Sequence, residues 1–217
     1  MKICVIGAGY VGLSLAVLLS QKYEVIAFDI SKDRIDKIKN RISPIKDTEL
    51  ENYLKNKNLH LKSTNDKNEA YLDAHYIIIA TPTNYDIKTG YFDTSSVEQS
   101  ISDCTKINPD GLIVIKSTVP LGFTDDMRNK FKNKNIIFSP EFLRESKALH
   151  DNLHPSRVVI GSKSKKAINF GKLLLECAHK PEKDIPFLKM ESKEAEAVKL
   201  FSNAFLAMRI SFFNELD

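Results

Sequence analysis

Four short stretches of this 217-residue chain carry residue types at spacings that suit binding or catalysis. The first, residues 7–12, reads GAGYVG and follows a short apolar run. Glycines at this spacing allow a tight turn, close approach of a pyrophosphate, and close packing of a helix on a sheet. A helix that begins here offers free N–H groups to the phosphates. The stretch, with Gly7, Gly9 and Gly12 in these roles, therefore predicts a dinucleotide-binding turn.

The next apolar run, residues 25–28, ends on Asp29. An acidic residue about 20 residues after the glycines accepts hydrogen bonds from a ribose hydroxyl, and its charge repels a 2′-phosphate. Arg34 follows five residues later and is able to accommodate such a phosphate. We give Asp29 more weight because it stands at the strand end itself, so the predicted cofactor is NAD rather than NADP.

Three further stretches follow apolar runs: residues 81–83 (TPT), 117–120 (STVP) and 139–145 (SPEFLRE). Ligands of open α/β sheets bind beyond the carboxyl ends of the strands, so these stretches and the glycine turn should converge on one crevice. Thr83 and Thr118 can donate hydroxyl hydrogen bonds to a cofactor or substrate, or they merely end their strands.

Charged groups are concentrated in the third of these stretches and in the last helical segment. Glu141, Arg144 and Glu145 lie in one loop, where two carboxylates can act as general base or hold a water, or are simply solvated. Lys199 and Asn203 are four residues apart and share one helix face. Together they can bind an oxyanion. Taken alone, the pair is better explained as a solvated helix face.

The elements that must position these residues alternate between apolar runs and helical stretches. Six strand–helix steps before residue 140 predict an α/β fold with a Rossmann-type doubly wound parallel sheet. Strands are expected at residues 3–6, 25–28, 59–62, 76–80, 112–115 and 136–138, and residues 84–92 are expected to form a loop. A short strand at 157–161, a helix at 168–177 and a strand at 185–189 predict an added αβ layer.

From residue 192 to Asp217 no glycine or proline interrupts the chain, and apolar side chains recur at helical spacing. The pattern predicts a long helix that runs to the last residue without a C-cap signal. A helix with this many apolar side chains needs a surface to pack against. We therefore expect it to form a homodimer contact. We therefore divide the chain into residues 1–190, a cofactor domain, and residues 191–217, a long last helix.

Composition argues against several other classes of protein. The net charge is only +4 and the lysines are scattered, so no nucleic-acid partner is expected. No apolar run reaches the about 18 residues that span a membrane, and none resembles a signal peptide. We expect a soluble cytoplasmic protein with no membrane partner.

Cysteine and histidine positions give no sign of a metal site. Cys4, Cys104 and Cys177 are odd in number and far apart, which fits a reducing cytoplasm. His150 and His154 are four residues apart, but Pro155 argues against a helix there. The sequence predicts no bound metal.

Taken together and in this order, these stretches resemble the UDP-glucose/GDP-mannose dehydrogenase family over essentially the whole chain. SPEFLRE together with FFNELD is most similar to the UDP-glucose 6-dehydrogenase branch. It is unlike the UDP-N-acetylmannosamine branch, in which that loop differs. The matching segments are GAGYVG (7–12), Asp29, ATPT (80–83), DTSSVE (93–98), KSTVPLG (116–122), SPEFLRE (139–145) and EAEAVKLFSNAFLAMRISFFNELD (194–217).

The family oxidises the C6 alcohol of a nucleotide sugar, here UDP-glucose, to a carboxylate and reduces two NAD in sequence. The resemblance implies that Thr118 and Glu145 position a water, and that Lys199 and Asn203 stabilise oxygen charge at C6, with Glu141 near the chemistry. The implied NAD contacts are Tyr10, Val11, Asp29, Arg34, Thr83, Thr118 and Glu145. The implied substrate contacts are Glu141, Phe142, Leu143, Arg144, Glu145, Lys199 and Asn203.

One departure from the family concerns its nucleophile, a cysteine in a glycine-rich motif that lies well beyond the long helix. None of the three cysteines matches that motif, and the UDP-binding second domain is not present. The resemblance therefore implies a cofactor portion that binds NAD but does not complete the oxidation alone.

Three alternatives stay open at this point. The first alternative is a non-catalytic NAD-binding module that binds partners through its last helix. The second is part of a GDP-mannose dehydrogenase. The third is another two-domain NAD dehydrogenase of the 3-hydroxyacid or 6-phosphogluconate type, which shares the glycine turn but has no reason to carry SPEFLRE.

Overall fold

The structure is a computed structural model that describes residues 1–87 and 90–216. Ten strands occur in these residues, and most end at a polar or glycine-containing stretch. They are β1 (Lys2–Ile6), β2 (Glu24–Phe28), β3 (Leu61–Thr64), β4 (Tyr76–Ile79), β5 (Tyr85–Asp86), β6 (Tyr91–Phe92), β7 (Leu112–Ile115), β8 (Ile136–Phe138), β9 (Val158–Ile160) and β10 (Phe187–Lys189).

Nine α-helices occur in the same residues, and several begin at a side chain that accepts a backbone N–H, such as Ser31, Asp47 and Ser164. They are α1 (Tyr10–Ser20), α2 (Lys32–Lys39), α3 (Thr48–Asn56), α4 (Lys67–Tyr71), α5 (Ser95–Ile107), α6 (Phe123–Phe131), α7 (Ala148–Leu153), α8 (Lys165–Cys177) and α9 (Ser192–Asn214).

Six strands form one parallel sheet in the order β3-β2-β1-β4-β7-β8. The chain starts at the centre of the sheet, builds outward to β3, and then crosses back to build the other half. This is the predicted doubly wound arrangement, and it places the topological switch point between β1 and β4. The predicted added layer is also present, as β9 and β10 in parallel beside α8.

Both faces of the sheet are covered, which explains why its strands are continuously apolar. Alternate residues of β1 point to opposite sides, with Val5 in one core cluster and Cys4 in the other. The first cluster packs α1, α3, α7 and α8 against the sheet, and the second packs α4, α5 and α6. Since α1 lies between the sheet and the added layer, nine of its eleven residues are buried.

Several predicted elements differ from the structure by up to three residues at an end. Strand β3 begins two residues later than expected and ends on buried Ser63 and Thr64. Their polarity hid this end of the strand, but Ser63 Oγ donates to the Ile35 carbonyl at 3.1 Å. The last helix ends at Asn214 rather than at Asp217, which lies outside the described residues.

The expectation of a plain loop at residues 84–92 was wrong, because β5 and β6 pair there antiparallel with Tyr85 edge-on to Phe92. Residues 88 and 89 of that stretch lie outside the described part of the chain. The argument from Pro155 against a helix at His150 was also wrong. Helix α7 ends at Leu153, so the proline falls after it and disfavours helix only for the residue before it.

Helix α9 is anchored to the domain through its first two turns. The fully buried Glu196 carboxylate accepts from Gly122 N at 2.6 Å, Thr124 N at 2.9 Å and Thr124 Oγ1 at 2.6 Å. It thereby caps the N-terminus of α6, where a negative charge is favourable. Ser192 Oγ donates to the Gly161 carbonyl at 2.7 Å.

The second half of α9 is exposed. Phe201 is 74% and Ile210 is 54% exposed, although both are large and apolar. The other large apolar side chains exposed in this half are Phe205, Leu206, Met208, Phe212 and Phe213. None of the helices among the described residues has the length and apolarity to cross a membrane.

The Glu196 cap predicts a large loss of stability on truncation. Glu196→Ala leaves buried donors of Gly122 and Thr124 unpaired, and we expect the free energy of unfolding to fall by about 2–4 kcal/mol. The control, Glu194→Ala, removes only one half of an exposed capping box and should cost about 1 kcal/mol. Urea denaturation measures both, and equal effects would contradict the assignment of Glu196 as the anchor.

Candidate cofactor and substrate site

The glycine turn after β1 is shaped by two close backbone contacts. Gly7 has φ +96°, and a Cβ on it would lie 2.6 Å from the Ala80 carbonyl oxygen. A Cβ on Gly12 would lie 1.8 Å from the Gly7 carbonyl oxygen. Both positions therefore exclude any larger residue. At Gly9, in contrast, no atom lies within 4 Å of such a Cβ, so this side of the turn is open to a ligand.

The open side of the turn faces the beginning of α1. Gly9 is the N-cap residue and provides no side-chain cap, and the first turn contains no acidic residue. The first N–H groups of α1 are thus left for an external acceptor, at the positive end of the helix dipole. Tyr10 and Val11 start the helix and are partly exposed. These features fit a bound pyrophosphate.

Asp29 joins the turn to the end of β2. The carboxylate is 6% exposed and accepts from Ala8 N at 2.7 Å and Ser31 N at 2.8 Å. Arg34 Nη1 lies 3.3 Å from Oδ2. Since a carboxylate has about four acceptor positions, one remains for a ribose hydroxyl. The half-exposed Arg34 is thus placed beside Asp29 at the ribose end of the turn.

The two threonine-containing stretches meet beside the glycine turn. Ser117 Oγ donates to the Thr81 carbonyl at 2.6 Å, which ties the ends of β4 and β7 together. Thr83 and Thr118 are partly buried, and the described residues offer neither side chain a hydrogen bond. Both hydroxyls are therefore available to a ligand at this edge of the sheet.

Lys199 reaches from α9 to the loop of residues 139–145, which we call the acidic loop. Its Nζ donates to Glu141 Oε1 at 2.7 Å and to the Glu141 carbonyl at 2.9 Å. The Lys199 side chain is 8% exposed and that of Glu141 is 15% exposed. Glu141 Oε2 in turn accepts from Leu143 N at 2.8 Å, so the carboxylate also shapes the loop. Lys199 is therefore not on a solvated helix face, the explanation that its spacing with Asn203 favoured before the family resemblance was considered.

The remaining charged residues of the predicted site lie at the surface. Arg144 pairs with Asp151 through Nη2 at 2.5 Å and not with Glu141. Glu145 is exposed at the start of a 3₁₀ turn, and Asn203 is exposed one turn beyond Lys199. No hydrogen bond links the side chain of Glu145 or of Asn203 to another described residue. The structure thus unites Glu141 with Lys199 and leaves the other three accessible.

Two cations that the sequence reasoning missed lie under the acidic loop. Lys116 is 6% exposed and donates to Ser139 Oγ at 3.0 Å. Burial lowers the pKa of Lys116 to about 8, Glu141 opposes that change, and Lys199 adds to it. Arg157 lies over the Phe142 ring, 4.1 Å from its centroid. The sequence signal for Lys116 was a basic residue directly at the end of an apolar run. Arg157 directly precedes such a run, and no motif marks it.

Neither a metal site nor a reactive thiol is found in the part of the chain that the structure describes. No group of three or more potential ligands comes together among those residues. The three cysteines are buried and unpaired. Burial raises the pKa of each thiol, in Cys177 to about 11. Such thiols are not ionised near neutrality and make poor nucleophiles.

Comparison with known proteins agrees with this geometry. Residues 1–178 match the NAD binding domain of the UDP-glucose/GDP-mannose dehydrogenase family. Residues 193–217 match the central domain of the same family. The second match begins one residue after the start of α9.

Similar curated proteins include the UDP-glucose 6-dehydrogenases of Streptococcus pneumoniae and Campylobacter jejuni. The first is 52% identical over 100% of this chain and 56% of its own length. The second is 47% identical over 100% of this chain and 55% of its own length. The chain therefore spans about half the length of these relatives.

Solved structures with the same fold include a GDP-mannose dehydrogenase from Pseudomonas aeruginosa, with a TM-score of 0.87 and 28% identity. A UDP-glucose dehydrogenase from Pyrobaculum islandicum also has a TM-score of 0.87, with 29% identity. Each covers 99% of this chain, which covers 52% of each. The chain thus belongs to the UDP-glucose/GDP-mannose dehydrogenase family and carries its NAD-binding domain.

Proposed function

We propose that this chain is the cofactor portion of an NAD-dependent UDP-glucose 6-dehydrogenase. The reaction converts the C6 alcohol of UDP-glucose to a carboxylate, consumes one water and reduces two NAD. The observation that carries the proposal is the Lys199–Glu141 pair, which lies after β8 at the same carboxyl edge of the sheet as the glycine turn after β1. UDP-glucose is preferred to GDP-mannose because the relatives at 52% and 47% identity are named for UDP-glucose.

The cofactor residues divide the binding between phosphate and ribose. Gly7, Gly9 and Gly12 with the α1 N-terminus at Tyr10 and Val11 would hold the pyrophosphate. Asp29, with Arg34 beside it, would hold the adenosine ribose and disfavour a 2′-phosphate. Thr83, Thr118 and Glu145 would contact the nicotinamide half. When bound there, NAD accepts a hydride from C6.

The proposed substrate residues would stabilise the negative charge that develops on the oxygen at C6. Glu141 holds the Lys199 ammonium in one place, so no reorganisation is needed when negative charge develops on the oxygen. Asn203, one helical turn further, would donate a second hydrogen bond to it. Thr118 and Glu145 would orient the water that the second oxidation consumes. The backbone of Phe142, Leu143 and Arg144 would line the sugar-nucleotide pocket.

We further propose that this chain alone binds NAD without sustaining turnover, since none of its three cysteines is placed or ionised to act as a nucleophile. Their reduced state also supports a location in the cytoplasm. Residues 1–190 would form the cofactor domain and residues 191–217 the start of the connecting helix. The exposed apolar side chains on α9 support a homodimer through this helix.

Asp29 should control cofactor affinity. We expect the chain to bind NAD more tightly than NADP, and Asp29→Ala to weaken NAD binding by about 10–100-fold, because a charged hydrogen bond to ribose is lost. Calorimetric titration measures both. Asp33→Ala is the control, since Asp33 is exposed on α2 and pairs only with Lys37. Unchanged NAD affinity in Asp29→Ala would contradict the assignment of Asp29 as the residue that binds the ribose.

An activity assay of the isolated chain tests the proposal that it binds NAD but does not sustain turnover. With UDP-glucose and NAD we expect no sustained NADH formation, while NAD binding is retained in the same preparation. GDP-mannose and 3-hydroxyacids serve as comparison substrates. Sustained conversion of UDP-glucose to the acid by these 217 residues would overturn the proposal that the chain is incomplete.

The dimer proposal predicts concentration-dependent association through α9. Phe205→Glu should shift the sedimentation equilibrium toward monomer, because it places a charge in an apolar interface. Ala207→Glu lies two residues away on the opposite side of the helix and should have little effect. A wild-type chain that stays monomeric at high concentration would refute the dimer.

A further inference from the structure

The side chain of Arg157 makes no hydrogen bond or ion pair with any described residue, which is unusual for a half-buried arginine. Its Nε atom is buried and has no hydrogen-bond partner. No described carboxylate lies within ion-pair distance of its guanidinium. Arginines usually engage carboxylates or carbonyls through their planar fork of donors. The contact that Arg157 does make is with a ring, and its guanidinium carbon lies 4.1 Å from the centroid of Phe142.

Phe142 is shared between two cations. Lys199 Nζ lies 5.7 Å from the centroid of the same ring, within the range of a cation–π interaction. The residue before Phe142 is Glu141, whose carbonyl and carboxylate both accept from Lys199 Nζ. Lys199 is therefore held by two consecutive residues of the acidic loop. Any movement of the ring changes the surroundings of the ammonium.

The other cations near the acidic loop do not touch this ring. Lys116 supports the start of the loop through Ser139 Oγ and lies 5.9 Å from the ring of Phe170 instead. Arg144 turns away to Asp151. Among the described residues, only Arg157 and Lys199 make a cation–π contact with Phe142.

We propose that Arg157 is a positioning residue, which stacks on Phe142 and so fixes the acidic loop that holds the Lys199 ammonium. The value of a fixed Lys199 rests on the proposed function, in which this group stabilises charge at C6. In this role, the added layer of β9, β10 and α8 holds Arg157 in position beside the acidic loop. Arg157 directly precedes β9, and β9 is fixed by β10 and by the bridge from Gly161 to Phe138.

The proposal can be tested in this chain without cofactor or substrate. The ring current of Phe142 should displace the NMR signals of the Lys199 ε-methylene group, which Lys199→Gln assigns by their loss. In Arg157→Met, which keeps length and removes charge, we expect these signals to move toward their position in Phe142→Leu. Arg157→Lys keeps the cation and should restore part of the displacement.

Arg144→Met is the matched control, because Arg144 lies in the same loop and contacts Asp151 instead of the ring. It should leave the Lys199 signals in place. Circular dichroism checks that each variant is folded. If Arg157→Met does not fold, Arg157→Gln provides the same comparison with a polar side chain.

Wild-type Lys199 signals in both Arg157→Met and Arg157→Gln would overturn the proposal, as would an equal change in Arg144→Met. The readout contains neither NAD nor UDP-glucose. A chain that passes this test but fails to bind NAD would therefore count against the proposed function alone.

Discussion

The ion pair between Lys199 and Glu141 is the contact on which the proposed substrate end of the site depends. It joins a helix near the end of the chain to a loop at the edge of the sheet, and both partners are largely withdrawn from water. Such a pair needs rigid support, because desolvation of two charges is costly unless their geometry is held. Glu196 provides it on the helix side by capping α6 from inside the domain. Lys116 and the Phe142 ring provide it on the loop side.

The cofactor end depends on a second buried carboxylate. Asp29 ties the backbone of the glycine turn to the end of β2, and the first N–H groups of α1 stay free because nothing in the turn caps them. The two ends share one edge of the sheet, since parallel strands deliver all their carboxyl ends to the same side. The ends of β1, β4, β7 and β8 therefore bring residues far apart in sequence to one edge of the sheet.

Much of this could be predicted from the sequence, because it follows from local patterns. The glycine spacing predicted the turn, and apolar runs predicted five of the six main strands closely. Local patterns could not show which side chains that are distant in sequence contact each other in the fold. The spacing of Lys199 and Asn203 suggested a solvated helix face, because the partner Glu141 is distant in sequence, and the family resemblance alone implied a role for Lys199. Arg157 had no motif at all. The predicted position of β3 was wrong because the buried end of this strand is polar. Helix α7 was not predicted because Pro155 follows closely, although the helix ends before the proline.

The central claim is that the glycine turn and the acidic loop belong to one site that binds NAD and UDP-glucose. Amide NMR of the chain, titrated first with NAD and then with UDP-glucose, tests it most directly. NAD should shift the amides of Gly9, Val11, Thr83 and Thr118, and UDP-glucose should then shift those of the acidic loop and Lys199. Shifts that avoid the turn with NAD, or the loop with UDP-glucose, would contradict the account.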